Sequence, residues 1–145
     1  MSKVFKGRVV IPGDLEGEAL VTHQGFNILA TFFRGIADGS PLCWDQNNED
    51  LYQKVQNDKI LCLPKCIGST TGGMFLQCAA DNGLAPLAML YADHVDSVSV
   101  AGIIMSDVWN ERKIITVDEL GNEFLATVQN GDKIVISSDG TVTIG

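Results

Sequence analysis

The sequence predicts a mixed α/β domain: a barrel-like or sandwich-like β core containing one strand–helix–strand crossover. Three observations predict it. Strand-like apolar runs recur at Val4–Ile11, Gly17–Thr22, "ILCLP" and "APLAMLYA". A helix-like segment, "MFLQCAADNG", lies between the last two. The tail is cut into short β-leaning pieces by Leu-Gly-Asn, Asn-Gly-Asp and Asp-Gly.

The elements follow in order. Val4–Ile11 and Gly17–Thr22 read as two strands joined by the break Pro12-Gly13-Asp14. "FNILATFFRGIADG" is apolar and β-leaning up to Gly35. "SPLCWDQNNEDLYQKVQNDK" is polar and irregular, with Leu51 and Val55 spaced for one face of a short helix. "ILCLP" is a buried strand stopped by Pro64, since proline lacks the N–H that a central strand needs. The helix that follows takes its N-cap oxygen from Thr70 or Thr71 and ends at Asn82-Gly83. "APLAMLYA" pairs parallel to "ILCLP" if the helix crosses between them. "DHVDSVSVAGIIMSDV" reads as a loop or short helix leading to a further strand, and the tail as three or four strands. Asp139-Gly140 is the strongest hairpin signal.

The chain has 145 residues with no linker, repeat or low-complexity tract, so residues 1–145 read as one domain. An apolar fraction of 46% against 19% charged residues sets it apart from disordered chains. The net charge is -8 and the ten Lys and Arg are scattered, which argues against nucleic acid and anionic membrane as partners. The N-terminus has no signal-peptide core and no run is long enough to span a bilayer, so a cytoplasmic location is expected. Cys43, Cys62, Cys66 and Cys78 fit reduced thiols, with Cys78 in the core.

The loop Gly68-Ser69-Thr70-Thr71-Gly72-Gly73 carries the chemistry. Glycines let backbone N–H groups converge, and a helix N-terminus adds partial positive charge. Three hydroxyls complete a nest suited to a carboxylate or phosphate, yet a plain helix cap explains the same composition. The loop lacks the P-loop lysine and the Rossmann glycine spacing. A serine acting on protons would need a cation or metal to hold an alkoxide, and only Lys65 is near in sequence.

Arg34 is a lone cation in "FFRGI" that could pair with a substrate carboxylate, or form a surface ion pair. Asp93 and Asp96 beside His94 form either a hydrogen-bonded cluster or a charged loop. Cys62 and Cys66 alone do not make a metal site. Trp44 and Trp109 are interface candidates, while Phe32 and Phe33 are expected in the core.

Taken together, "GRVVIPGDLEGEALVT", "ILCLPKCIGSTTGGMFL", "NGLAPLAMLYADHVDSVSVAGIIMSDV" and "NGDKIVISSDGTVTI" resemble, in this order, the small swivel domain of the aconitase X family. The resemblance implies a swivelling β/β/α domain that caps a large catalytic subunit. It implies a hydro-lyase acting on a small hydroxylated acid, such as cis-3-hydroxy-L-proline or phosphomevalonate. No cofactor is expected in this chain; an iron–sulfur cluster is expected in the large subunit. Ser69 is the implied proton-abstracting base, with Gly68, Thr70, Thr71, Gly72 and Arg34 as candidate substrate-binding residues. "TFFRGIADGSPLCWDQNNEDLYQK" departs from the family pattern at the substrate rim. A non-catalytic, anion-binding or regulatory subunit of the same fold is the alternative.

Overall fold

The computed structural model describes residues 2–68, 71–109 and 113–145. Ser69 and Thr70 lie outside the described residues. The β core is one eight-stranded sheet. Its strands are β1 (Lys3–Lys6), β2 (Arg8–Ile11), β3 (Leu15–Val21), β5 (Lys59–Leu63), β7 (Ala88–Tyr91), β8 (Ile115–Asp118), β9 (Lys133–Ile136) and β10 (Thr141–Ile144). Their order is β1-β10-β9-β3-β5-β7-β8-β2. A two-stranded parallel sheet, β4 (Phe26–Asn27) with β6 (Cys66–Ile67), sits beside it.

This order requires a closed barrel. β1 and β2 occupy opposite ends of the sheet, yet only Gly7 separates them. Seven strand spacings laid flat would part them by roughly 30 Å, while one residue reaches about 3.5 Å. The sheet therefore curls until its edges meet at Gly7. A Cβ on that residue would lie 2.5 Å from the Asp118 carbonyl oxygen. The barrel-like core expected from the sequence is present, but the first two long strands do not form a hairpin. β2 pairs with β8 and β3 with β5 and β9. The hairpin at Asp139-Gly140 joins β9 to β10 as expected, with Gly140 at φ 91°.

Three parallel crossovers replace the single one expected. β3, β5, β7 and β8 run parallel, connected by α1 (Ile28–Asp38), α2 (Gly72–Asp81) and α3 (Ser97–Trp109). Strands covered on both faces read as continuous apolar runs. In β5, Leu61 and Leu63 face the helices, and Ile60 and Cys62 face the barrel interior. In β7, Met89 and Tyr91 face the helices, and Ala88 and Leu90 the interior. A fourth helix, α4 (Asn122–Thr127), places Phe124 and Leu125 in the interior cluster.

Several segments differ from the expectation. The β-leaning run after Phe26 is α1. It buries Ile28, Thr31, Phe32 and Gly35, and Asn27 Oδ1 caps it by accepting from the Ala30 N–H at 3.0 Å. Gly39, left-handed at φ 71°, closes it. The Leu51–Val55 stretch is not a helix but a chain of turns with isolated bridges Leu42–Val55 and Cys43–Tyr52. The segment after His94 is the 13-residue α3, not a short helix or loop. In the tail, "NEFLAT" is helical because Phe124 and Leu125 need an apolar partner that the barrel mouth supplies. Phe33 is exposed rather than core, stacked near Phe75 with ring centroids 5.7 Å apart, and Cys78 is exposed on the outer face of α2. No helix among the described residues is long and apolar enough to cross a membrane.

Candidate functional site

The loop that carries the chemistry leaves β6 and enters α2. Its first residue, Gly68, has φ 104°, a conformation that disfavours side chains. A Cβ there would also lie 2.8 Å from the Asn27 side-chain amide. Asn27 thus caps α1 and crowds the start of the loop, and its backbone pairs with Ile67 across β4–β6. At the other end, Thr71 is the N-cap position of α2, and its carbonyl accepts from the Met74 and Phe75 N–H groups at 3.1 and 3.3 Å. Gly72 sits close to Val98 and Ile28, and a Cβ on Gly73 would meet the Val98 carbonyl oxygen at 2.5 Å. The glycines seat the head of α2 directly against α3.

A cavity of about 190 Å3 opens under this loop, lined by Ile28, Cys66, Ile67, Gly68, Gly72, Asp96 and Val98. None of these carries a positive charge. Behind the cavity runs a buried hydrogen-bond chain. Tyr91 Oη donates to Ser99 Oγ at 3.0 Å, and Ser99 Oγ donates to Asp96 Oδ1 at 2.6 Å. The Cys66 thiol lies 3.4 Å from Tyr91 Oη. With the tyrosine hydrogen already committed to Ser99, the thiol is the donor there. Asp96 Oδ2 accepts the Ser99 N–H at 2.8 Å, which caps α3. Burial pushes the Cys66 thiol up to about 12 and Tyr91 well above its ordinary value, so both stay protonated near neutral pH.

Among the sequence candidates, Gly68 and Gly72 line this cavity, and Thr71 stands at its helix head. Arg34 lies elsewhere. Its Nε pairs with Asp38 at 3.4 Å, and its guanidinium lies 4.2 Å from the Trp44 ring centroid. It borders a different groove with Leu29, Ala30, Phe33 and Trp44. Cys66, Tyr91 and Ser99 were not singled out for this site. Only Asp96, three residues before Ser99 as in an Asp cap, gave a signal that could have found the group.

A second polar cluster borders a larger groove of about 660 Å3 on the far side of Asp96. Arg8 grips Asp118 with Nε–Oδ1 at 2.9 Å and Nη2–Oδ2 at 2.6 Å. The Val95 N–H donates to the same carboxylate at 2.7 Å, and His94 Nδ1 lies 3.8 Å away. Burial alone would raise Asp118, but the Arg8 and Val95 bonds outweigh it and hold the carboxyl below its ordinary value. Among the described residues, no three His, Cys, Asp or Glu side chains gather to hold a metal.

Comparison with known proteins agrees with this architecture. The aconitase X swivel domain model matches residues 4–144. The phosphomevalonate dehydratase small subunit of Methanocella arvoryzae is 29% identical over 140 residues, covering 97% of this chain and 96% of that one. That of Archaeoglobus fulgidus is 28% identical over 137 residues, covering 93% and 92%. The crystal structure of holo-form aconitase X from Thermococcus kodakaraensis superposes with a TM-score of 0.81 at 25% identity, covering 99% of this chain and 98% of that one.

Proposed function

The chain belongs to the aconitase X swivel-domain family, and from that premise we propose that it is the small subunit of a hydro-lyase acting on a hydroxylated carboxylic acid. The observation that carries this reading is the glycine-framed loop at the head of α2, in a chain similar over nearly its whole length to dehydratase small subunits. In this reading residues 1–145 act as one swivel domain in the cytoplasm, where the free cysteines stay reduced.

Ser69 takes the proton from the substrate carbon, and Gly68, Thr70, Thr71 and Gly72 bind the substrate around it. In this reading Arg34, which borders a different groove, meets the substrate only at the rim formed when the complex closes. The large catalytic subunit supplies the other half of the site, and Lewis-acid chemistry falls to its iron–sulfur cluster. The cysteines described here offer no ligand set of their own. Closure of the two subunits excludes water from the loop and completes the site.

The test is reconstitution with the large subunit. The complex is expected to dehydrate mevalonate 5-phosphate or cis-3-hydroxy-L-proline, and the isolated chain neither. Ser69→Ala is expected to lower turnover by about 10²–10⁴-fold, the scale of a lost general base, with assembly intact. Turnover that survives this substitution would overturn the base assignment and favour an anion-binding scaffold.

A further inference from the structure

Helix α3 is inverted for a helix that covers only its own sheet. Such a helix buries its larger apolar residues and turns polar ones outward. In α3 the inward stripe is Ser99, Gly102, Ile103 and Ser106, of which only Ile103 is large and apolar. The outward positions Ala101, Ile104, Met105 and Val108 follow the i, i+3, i+4, i+7 spacing of one helix face, and none is polar. Ile104, Met105 and Val108 are 46%, 43% and 65% exposed, and Trp109, 74% exposed, extends the stripe. The helix therefore meets α2 through glycine and carries most of its apolar bulk on the outside.

The stripe borders an apolar groove of about 420 Å3 between α2 and α3. Met74 and Met105 both line it, together with Gly73 and Gly102 of the helix crossing. None of its described lining residues is charged. In a chain of net charge -8, α2 carries no charged side chain before Asp81, and α3 carries only Asp107. Depletion of charge with enrichment of methionine and aromatic residues is the composition of an interface core. Methionine also adapts its shape to whatever side chain enters such a groove.

We propose that the outward stripe of α3 and the Met74–Met105 groove form the surface on which the large catalytic subunit docks, through an apolar, uncharged patch of its own. This rests on the dehydratase reading above. Two observations select that occupant over a second copy of this chain. Gly73 both ends the glycine-framed loop and lines the groove, so a partner seated in the groove also closes over the loop. A second copy joined by this face would set two such faces against each other, loops included, and shut substrate out of both. The net charge of -8 also makes two copies repel each other.

Docking and chemistry are separable at these positions. Ile104 and Met105 do not line the cavity under the loop, so their loss should show in assembly and not in the chemical step. Glutamate is a good helix former, and at an exposed position it keeps α3 intact while placing a charge where the interface needs none. Val4 on β1, 64% exposed and outside the helix layer, provides the control.

The experiment titrates native, Ile104→Glu, Met105→Glu and Val4→Glu chains with the large subunit and reads the dissociation constant and the turnover. Ile104→Glu and Met105→Glu are each expected to raise Kd by at least about 10-fold, with native far-UV circular dichroism, and Val4→Glu to leave it unchanged. At saturating large subunit both α3 variants should regain native kcat. If they bind with native Kd in a complex that turns over, the docking face lies elsewhere, and this inference is overturned while the dehydratase reading stands. If the native chain sediments as a dimer that Met105→Glu makes monomeric, the occupant is a second copy and the inference is likewise overturned. If no complex forms with the large subunit, both fall together. Should either variant fail to fold, peroxide oxidation of the native chain gives the same answer. Met74 and Met105 should be protected in the complex and reactive in the free chain, and equal reactivity in both would overturn the inference.

Discussion

Gly102 of α3 and Gly73 of α2 touch backbone to backbone: a Cβ on Gly102 would overlap the Gly73 carbonyl. The same crossing leaves a Gly73 Cβ only 2.5 Å from the Val98 carbonyl oxygen. Backbone cannot swing aside as a flexible side chain can, so any methyl group here must push the helices apart. Gly102→Ala is expected to cost about 1–3 kcal/mol by overpacking. The helix-propensity gain of about 1 kcal/mol offsets only part of this. Urea unfolding should show a lower midpoint with an unchanged slope. An equal or higher midpoint would mean that the helices separate freely, and that the head of α2 is not fixed by this crossing.

Gly68 places the loop by a different constraint. Its φ of 104° is costly for alanine, and the added methyl would meet the Asn27 amide. The expected destabilisation of Gly68→Ala is about 1–3 kcal/mol. The larger effect is expected on turnover of the assembled complex, because the loop's exit from β6 must change. Gly83→Ala is the control. Gly83 also has positive φ, at 72°, but has open space around it and lies at the opposite end of α2. It should lose stability without comparable loss of turnover.

The contrast between these glycines and their neighbours shows what the sequence could reveal. The Gly/Ser/Thr loop was legible because composition and place, between an apolar strand and an apolar helix, are local properties. The strand–helix–strand unit around it was legible for the same reason. Helix α1 was misread because Ile28, Thr31, Phe32 and Phe33 are β-branched or aromatic, and their propensity hid a valid i, i+3, i+4, i+7 pattern of Ile28, Thr31, Phe32 and Gly35. Helix α3 buries Ser99, Gly102, Ile103 and Ser106, a stripe too small and polar to read as a core face. Beyond the local Asp96–Ser99 cap spacing, the convergence of this pair with Tyr91 and Cys66 was out of reach. It depends on β6, β7 and α3 meeting in space, and no local pattern encodes that meeting. Barrel closure was hidden likewise, since the pairing of β1 with β10 joins the two ends of the chain.

The Arg8–Asp118 pair gives a pH prediction whose sign is fixed. The Asp118 side chain is fully enclosed, and its carboxyl is held below the ordinary value although burial opposes this. A carboxylate depressed in the folded state stabilises it above the unfolded pKa of about 3.9. That stabilisation is lost as pH falls from there through the lower folded value. Asp118→Asn should therefore unfold at lower urea than the native chain at pH 7, and the gap should close as pH is taken below 4. Asp139 is also held low, chiefly by bonds to Thr141, but it is common to both proteins and drops out of the difference. A gap that stays constant from pH 7 into the acid range would show that Asp118 contributes through shape alone.

The barrel interior is plugged by α4, and Phe124 is the plug. Its ring is fully buried and meets Phe5 edge-on, with centroids 5.4 Å apart and planes at 78°. Phe5 belongs to β1, the strand that closes the barrel, so this contact ties the closing edge to the interior. Phe124→Ala removes a large ring from an enclosed site and is expected to cost about 3–5 kcal/mol. Phe5→Ala should cost less, because Phe5 is only partly buried. The pair should be coupled by about 0.5–1.5 kcal/mol, the worth of an edge-to-face contact beyond burial. A double-mutant cycle in urea measures this directly. Strict additivity of the two losses would mean that the rings share a core without supporting each other, and that the backbone pairing of β1 with β10 closes the barrel unaided.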